Sequence, residues 1–211
     1  MGPLSRGRSH QQAPPETGVA GFPTTAVAGP LWRAARLGPW WYCCALDCRF
    51  DLAEPRGTCY LGTDEVVGLL ESLGPEIDNG VVASERLDQL KLYQWTPERP
   101  LSPADLTSRA AVGFGVTNEL STMTPYDIPQ AWAAAFDSDA GYEGVYYRSR
   151  FDPSDTERAV AHFGPAGEAQ RPKGRGRPVG VRLRARLERE CNLRVAPRPS
   201  AAEVTTVELD W

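Results

Sequence analysis

Apolar residues in this chain come in short segments that end at Gly or Pro, and this pattern limits the length of every element. The breaks stand at Gly38-Pro39, Pro55, Gly57, Gly62 and Gly74-Pro75. Because Pro lacks a backbone N–H and Gly favours turns, regular helices and strands end at such positions. No run of about 18 apolar residues occurs, so the sequence predicts no transmembrane helix.

The clearest element is a helix predicted over residues 63–74. Thr63 is the expected N-cap, the two acids that follow suit the positive helix N-terminus, and Gly74-Pro75 ends the helix. Apolar residues recur at the helical spacing i, i+3, i+4 and i+7, in Val66, Leu69, Leu70 and Leu73. Glu71 lies on the flank of this stripe, where its carboxylate faces either a cleft or the solvent.

Short strands surround that helix along the sequence. They are predicted at 31–36, 58–61, 91–95, 141–151, 157–163, 179–187 and 203–209. A helical turn is predicted at 84–90, a helical pattern covers 104–116, and a further helix covers 130–138 after Asp127 and Pro129. Residues 181–187 alternate between apolar side chains and Arg, which is typical of a half-buried strand. The sequence therefore predicts an α+β fold with a mostly antiparallel sheet system and a few helices.

Two regions are predicted. Residues 1–29 are rich in Pro, Gly, Ala, Ser and Gln without an apolar period, and are expected to be a flexible leader. Residues 30–211 are expected to form one domain. The leader has no apolar stretch typical of a secretory signal, and five cysteines without such a signal indicate reduced thiols in a cytoplasmic protein. The cluster of Cys43, Cys44 and Cys48 lacks a second cysteine pair, so no metal site is expected.

The net charge of −4 hides an uneven distribution. Residues 171–194 hold nine basic and two acidic residues, a net charge of +7, which leaves −11 for the remainder. Within this basic segment, Arg175-Gly176-Arg177-Pro178 matches the core of an AT-hook, which enters the minor groove of A·T-rich DNA. A solvated loop, followed by a strand with arginines on its outer face, accounts for the same residues. The acidic total argues only against a protein that coats nucleic acid.

Several segments occur in an order that resembles a known family. In chain order they are Trp32-Arg33, Arg49-Phe50-Asp51, Tyr60-Leu61-Gly62, the helix that carries Glu71, residues 130–152 and the run AVAHFG at 159–164. This order, over roughly residues 31–164, resembles the RES family, whose members are bacterial toxins of toxin–antitoxin pairs. The resemblance implies an enzyme that degrades NAD, and an ADP-ribosyltransferase-like fold with mostly antiparallel split sheets and a few flanking helices.

The resemblance also implies a set of site residues. Those matching the catalytic positions are Arg33, Glu71 and Ser149, and those matching the NAD-binding positions are Arg49 and Tyr60. Arg56 competes with Arg49 for the role of the second arginine. The residue types suit cleavage of the nicotinamide–ribose bond, which passes through an oxocarbenium-like state that a carboxylate stabilises. Arginines bind pyrophosphate in bidentate fashion, a Tyr ring stacks on the substrate, and a Ser hydroxyl orients it.

The resemblance further implies the reactants and partners. NAD is a substrate, with water or inorganic phosphate as the acceptor, and neither a cofactor nor a metal is expected. The expected partner is an Xre-type, helix-turn-helix antitoxin that plugs the cleft, with a homodimer or a toxin–antitoxin hetero-oligomer as the assembly. The arginines of residues 171–194 are a candidate docking surface for an acidic antitoxin. Two other functions stay open, namely transfer of ADP-ribose to a protein and weak DNA binding through residues 171–194.

Overall fold

A computed structural model of the protein describes residues 10–74, 77, 80–139, 141–169 and 175–197. Its strands are β1 (Leu31–Ala35), β2 (Trp41–Tyr42), β3 (Arg56–Gly62), β4 (Val81–Ala83), β5 (Lys91–Trp95), β6 (Ala104–Asp105), β7 (Gly144–Tyr147), β8 (Ala159–Pro165), β9 (Gly167–Glu168), β10 (Arg177–Pro178) and β11 (Arg194–Ala196). Its α-helices are α1 (Glu65–Leu73), α2 (Ser84–Asp88), α3 (Asp127–Ser138) and α4 (Val181–Cys191), and 3₁₀-helices cover Arg109–Phe114 and Asn118–Ser121. Within the described ranges, every helix is too short or too polar to span a bilayer.

Seven strands form the central sheet in the order β10-β5-β1-β3-β8-β7-β6. The longest ladder joins β3 and β8 in antiparallel register, from Arg56 opposite Pro165 to Gly62 opposite Ala159. Within this sheet, only the short β6–β7 pair is parallel among the described strands. The predicted α+β class with a mostly antiparallel sheet and few helices is therefore confirmed. Two smaller sheets pair β11 with β4 and β2 with β9. The split-sheet, ADP-ribosyltransferase-like architecture stays a prediction.

The hydrophobic core divides according to which helix covers the sheet. Helix α3 packs Trp132 and Phe136 against alternate residues of β7 and β8, including Val145, Ala161 and Phe163. Helix α1 packs its apolar stripe against β1 and β5 in a second cluster, to which α4 also contributes. These two clusters hold the strands and α1 in a rigid arrangement around the site described below.

Helix α1 is where the sequence predicted it, and one detail differs. Asp64, not Thr63, is the N-cap, because its Oδ1 accepts the N–H groups of Val66 at 2.7 Å and Val67 at 3.3 Å. The Thr63 hydroxyl instead donates to Glu157 Oε2 at 2.8 Å. The stripe of apolar residues is buried as predicted, in Val66, Leu69, Leu70 and Leu73.

The strand predicted at 179–187 is wrong, since most of this segment is the first half of α4. Only Leu183 and Leu187 of the alternating apolar positions are buried, whereas Val181 is 84% exposed. A spacing of four residues returns to the same face in both a helix and a strand, so the alternation did not distinguish them. The strand predicted at 203–209 lies outside the described residues.

Other predicted elements are close to those observed. The strands expected at 31–36, 58–61, 91–95, 141–151 and 157–163 overlap β1, β3, β5, β7 and β8. The helical pattern at 104–116 is only partly realised, because Ala104–Asp105 is a strand and the helix, of 3₁₀ type, begins at Arg109.

The flexible leader predicted over residues 1–29 is corrected for its described part, residues 10–29. Val19 and Phe22 are each 3% exposed and belong to the core cluster of α3. Thr24 and Val27 form backbone bridges with Ala104 and Leu101. Val19, Phe22 and Val27 show no period in the sequence, yet all three are buried. Residues 1–9 lie outside the described residues.

Candidate functional site

An open cavity of about 750 Å³ lies between β1, β3, α1 and the loop that holds residues 43–51. Four of the five site residues implied by the family resemblance line it, namely Arg33, Arg49, Tyr60 and Glu71. The fifth, Ser149, is 5% exposed and sits behind Glu71. The fold therefore brings together residues that are more than 110 positions apart in the sequence.

Close packing of α1 on the sheet sets the position of Glu71. A Cβ on Gly68 would lie 2.5 Å from the carbonyl oxygen of Trp32 on β1, and Gly62 on β3 leaves the matching space on the neighbouring strand. Only glycines permit so short a distance between helix and strands. Glu71, three residues after Gly68, is carried over the cavity as a result.

The Glu71 carboxyl is buried among hydrogen-bond donors and positive charges. Tyr147 donates its hydroxyl to Glu71 Oε2 at 3.1 Å. Burial raises the pKa of Glu71, against the opposing effects of hydrogen bonds from Ser149 and Tyr147 and the positive charges of Arg49 and Arg150. The carboxylate is thus oriented by two hydroxyls and lies near two guanidinium groups, an arrangement suited to a developing cation on a bound ligand.

Arg49 is 8% exposed, and its Nε and Nη2 atoms are buried without a hydrogen-bond partner among the described residues. Its guanidinium lies 5.2 Å from the centre of the Tyr126 ring. A buried guanidinium with free donors is costly unless another group satisfies them. The Arg49 side chain is therefore a ready site for an anionic ligand group.

Arg33 and Arg56 differ in their surroundings. Arg33 lines the cavity from β1, and its Nη1 donates to the carbonyl oxygen of Trp41 at 3.0 Å and to the Cys59 sulfur. Arg56 instead forms a forked ion pair with Asp137 on α3, at 2.7 Å for the shortest contact. Of the two candidates for the second arginine, Arg49 therefore lies in the cavity and Arg56 is held elsewhere.

Tyr60 lines the cavity with its hydroxyl already engaged. The hydroxyl donates to Asp51 Oδ1 at 2.9 Å and accepts the Phe50 N–H at 2.9 Å. Burial raises the pKa of the Tyr60 hydroxyl well above its usual value. Tyr60 forms a fixed wall of the cavity, and its predicted stacking on the substrate stays a prediction.

The structure adds cavity residues that the sequence reasoning missed. Tyr147 and Arg150 flank Ser149, and Tyr126 and Trp41 contribute rings. Tyr147 was within reach of sequence reasoning, because residues 147 and 149 point to the same side of an extended segment. The sequence did not predict that Arg150, Tyr126 and Trp41 line the cavity, because their positions there depend on the tertiary fold.

The loop that holds residues 43–51 brings Cys43, Asp47 and Asp51 together, and one possible metal-ligand atom of each lies within 4.8 Å of the others. The Asp51 carboxylate, however, already accepts the Tyr60 hydroxyl and the Cys48 N–H. Burial and the charges of the two aspartates raise the pKa of Cys48 to about 12, so this thiol stays protonated at neutral pH. All five cysteines are free thiols. We assign no ion to this group, and the expectation of a metal-free protein stays a prediction.

Three arginines of the basic segment face carboxylates of the body. Arg177 pairs with Glu65 and lies 4.9 Å from the Trp32 ring centre. Arg186 pairs with Asp64 at 3.0 Å, and Arg184 with Asp88. These contacts attach the segment to α1 and α2. They favour a structural role for arginines that the sequence also allowed to bind DNA or an antitoxin.

Comparison with known families identifies the class of protein. The chain matches the RES domain model over residues 30–182, which is well over half of its length. The protein therefore belongs to the RES domain family, as its sequence segments predicted. A solved chain similar to it comes from the M. tuberculosis MbcT–MbcA toxin–antitoxin complex, with 16% identity, 66% of this chain and 76% of that chain covered, and a TM-score of 0.48. Comparison with curated proteins gave no match.

Proposed function

We propose that the cavity binds NAD and that the protein cleaves its nicotinamide–ribose bond, as the toxin of a toxin–antitoxin pair in the cytoplasm. Membership in the RES family supports this proposal, and one observation of the structure carries it. The buried guanidinium of Arg49, with two nitrogens unpaired among the described residues, lines the same cavity as the Glu71 carboxyl and acts on it through its positive charge. A ligand that carries both an anionic group and a centre of developing positive charge satisfies both residues.

The proposed reaction breaks the bond between the ribose anomeric carbon and the pyridinium nitrogen. The bonding electrons leave with nicotinamide, which departs neutral, and positive charge spreads over the ribose ring. Glu71 stabilises that charge, while Tyr147 and Ser149 keep its carboxylate oriented. Arg33 and Arg49 hold the pyrophosphate. Water then bonds through its oxygen to the anomeric carbon and releases a proton to the solvent, or an anionic phosphate oxygen bonds there without loss of a proton.

The acceptor is water or inorganic phosphate in this proposal. The cavity is lined by five arginines and two carboxylates, Arg33, Arg36, Arg49, Arg86, Arg150, Asp47 and Glu71. This excess of positive charge favours a second anion beside the dinucleotide, and hence phosphate. Transfer of ADP-ribose to a protein uses the same bond cleavage, and the ADP-ribosyltransferase-like architecture that we propose is compatible with it.

Control of such an enzyme requires a partner. We propose that an Xre-type antitoxin closes the cavity. The assembly is then a toxin–antitoxin hetero-oligomer, and the toxin by itself is a monomer or a homodimer. Contact with DNA would then come through the antitoxin. NAD is consumed as a substrate, so the reaction as proposed needs neither a bound cofactor nor a metal.

The test is nicotinamide release from NAD by folded protein free of antitoxin, with and without inorganic phosphate. We expect release by the natural protein and at least a 100-fold loss in Glu71→Ala, consistent with losses on removing a charge-stabilising group. Mass analysis of the second product distinguishes ADP-ribose from ADP-ribose with a phosphate on the anomeric carbon. Absence of release in both buffers, from protein that unfolds cooperatively, would contradict the proposed function.

A further inference from the structure

The mouth of the cavity carries large apolar side chains in contact with solvent. Trp41 is 51% exposed and Leu37 is 88% exposed, and both line the cavity. Exposed apolar groups next to a binding site mark a surface that another molecule covers. The Trp41 ring is the largest exposed apolar side chain among the described residues.

The Trp41 backbone is held in place by three contacts. Strand β2 pairs Trp41 with Glu168 of β9, and the Trp41 N–H donates to the Gly38 carbonyl at 3.2 Å. The Trp41 carbonyl accepts from Arg33 Nη1 at 3.0 Å. The Trp41 backbone is therefore anchored beside an arginine that the proposed function assigns to the pyrophosphate.

The exposure of the cavity residues increases from Glu71 through Arg33 to Trp41, and we compare this order with the order of the groups in NAD. Glu71 is buried with a raised pKa, Arg33 is half-buried, and Trp41 is half exposed at the mouth. NAD runs from the nicotinamide ribose through the pyrophosphate to the adenosine. With the ribose at Glu71 and the pyrophosphate at Arg33, the adenine base reaches the mouth of the cavity.

Resting on the proposed function, we infer that the indole of Trp41 stacks against the adenine base of NAD. Aromatic rings stack on nucleobases because both present flat π-faces. The other cavity rings are less available. The Tyr60 hydroxyl is tied to Asp51 and Phe50, and the Tyr126 ring packs against the Arg49 guanidinium. Trp41 thus adds a stacking face for the adenine base, while the predicted stacking of Tyr60 on the nicotinamide or ribose stays a prediction.

Calorimetric titration with ADP and with inorganic pyrophosphate tests this inference without requiring turnover. Trp41→Ala is expected to weaken ADP binding about tenfold, a factor equivalent to about 1.4 kcal/mol, and to leave pyrophosphate binding unchanged. Trp41→Phe keeps an aromatic face and is expected to retain most of the ADP affinity. Val112→Ala, which removes a side chain that is 70% exposed and lies outside the cavity lining, is the matched control and should bind both ligands normally.

Each other outcome overturns the inference. Unchanged ADP affinity in Trp41→Ala would assign the apolar mouth to a protein partner. Equal losses for ADP and pyrophosphate would show that Trp41 acts only by positioning Arg33. Absence of ADP binding to the natural protein would remove the base site altogether. Failure of the proposed function is seen separately, as absence of nicotinamide release from NAD, and does not depend on these titrations.

Discussion

Arg49 and Glu71 are charged groups that the fold buries in one cavity, with no direct ion pair between them in the described part of the chain. Burial of a charge is unfavourable unless hydrogen bonds or an opposite charge compensate it. Glu71 accepts hydrogen bonds from the hydroxyls of Tyr147 and Ser149, whereas two of the Arg49 nitrogens have no acceptor among the described residues. Such incomplete compensation is characteristic of a site whose remaining partner is the ligand.

Replacing Arg49 and Arg56 by Lys, one at a time, distinguishes an arginine that binds NAD from an arginine that stabilises the fold. Arg49→Lys is expected to raise the KM for NAD about tenfold, because a single ammonium cannot replace the fork of a guanidinium. Arg56→Lys breaks the forked pair with Asp137 and is expected to lower Tm while leaving KM unchanged. Steady-state kinetics and thermal unfolding of both variants measure this. The reverse pattern would place the second arginine at position 56.

Glu71→Gln is expected to abolish nicotinamide release and to stabilise the fold at pH 7. Because burial raises the pKa of Glu71, the ionised form is disfavoured in the folded state, and Gln removes that cost. The gain in Tm should shrink as the pH falls through the raised pKa of folded Glu71 and should vanish below the ordinary pKa of 4.5, where the natural carboxyl is protonated in both states. Thermal unfolding between about pH 4 and about pH 8 measures this, because that range spans the ordinary pKa of a glutamate and neutral pH. A variant that is less stable at pH 7 would contradict the effect of burial.

At the scale of elements, α4 shows how a basic segment serves the fold. Arg184 and Arg186 face Asp88 and Asp64, which belong to α2 and to the N-cap of α1. On its other side, Leu183 and Leu187 enter the cluster that includes the apolar stripe of α1. The helix therefore supports the element that carries Glu71.

Two substitutions distinguish the helix from the strand that the alternation predicted. Leu187→Ala is expected to lower the free energy of unfolding by about 2–5 kcal/mol, because Leu187 is fully buried. Val181→Ala should change it by less than about 0.5 kcal/mol, since Val181 is mostly exposed. Urea unfolding of both variants gives the comparison. Equal losses at the two positions would support the half-buried strand.

At the scale of the whole molecule, the net charge is less informative than the ion pairs between the basic segment and the acidic remainder. The basic segment at 171–194 and the acidic remainder are joined by ion pairs such as Arg177 with Glu65. The N-terminal region is attached by apolar contacts instead, since side chains of residues 10–29 pack in the core cluster of α3. Both ends of the described chain thus pack on the domain that matches the RES family.

Phe22→Ala tests whether the N-terminal region is part of the folded domain. The Phe22 ring contacts Phe114 and Phe136, with ring centres 4.9 and 4.8 Å apart, and is 3% exposed. Its removal is expected to lower the free energy of unfolding by about 3–5 kcal/mol. Thr24→Ala, at an exposed position of the same region, is the control and should cost less than about 0.5 kcal/mol. Equal stability of the two variants would restore the flexible leader.

Local patterns in the sequence were sufficient for the elements whose signals are local. Helix α1 has its apolar stripe and terminal signals within twelve residues, and the order of short segments identified the family. The 181–187 segment failed because its buried residues, Leu183 and Leu187, fit both periods. The N-terminal region failed because its buried residues, Val19 and Phe22, have no local period.

The candidate site shows the same division between local and long-range information. Residue types and family order predicted Arg33, Arg49, Glu71 and Ser149 as site residues, and the first three line the cavity, while their roles stay predictions. Only the tertiary structure shows that Arg56 pairs with Asp137 away from the cavity, whereas Arg49 lines the cavity with two nitrogens unpaired among the described residues. The exposed ring of Trp41 at the cavity mouth likewise follows from long-range packing. Chemistry is encoded by residue type along the chain, whereas burial and pairing, which set charge and access, arise only when distant segments meet.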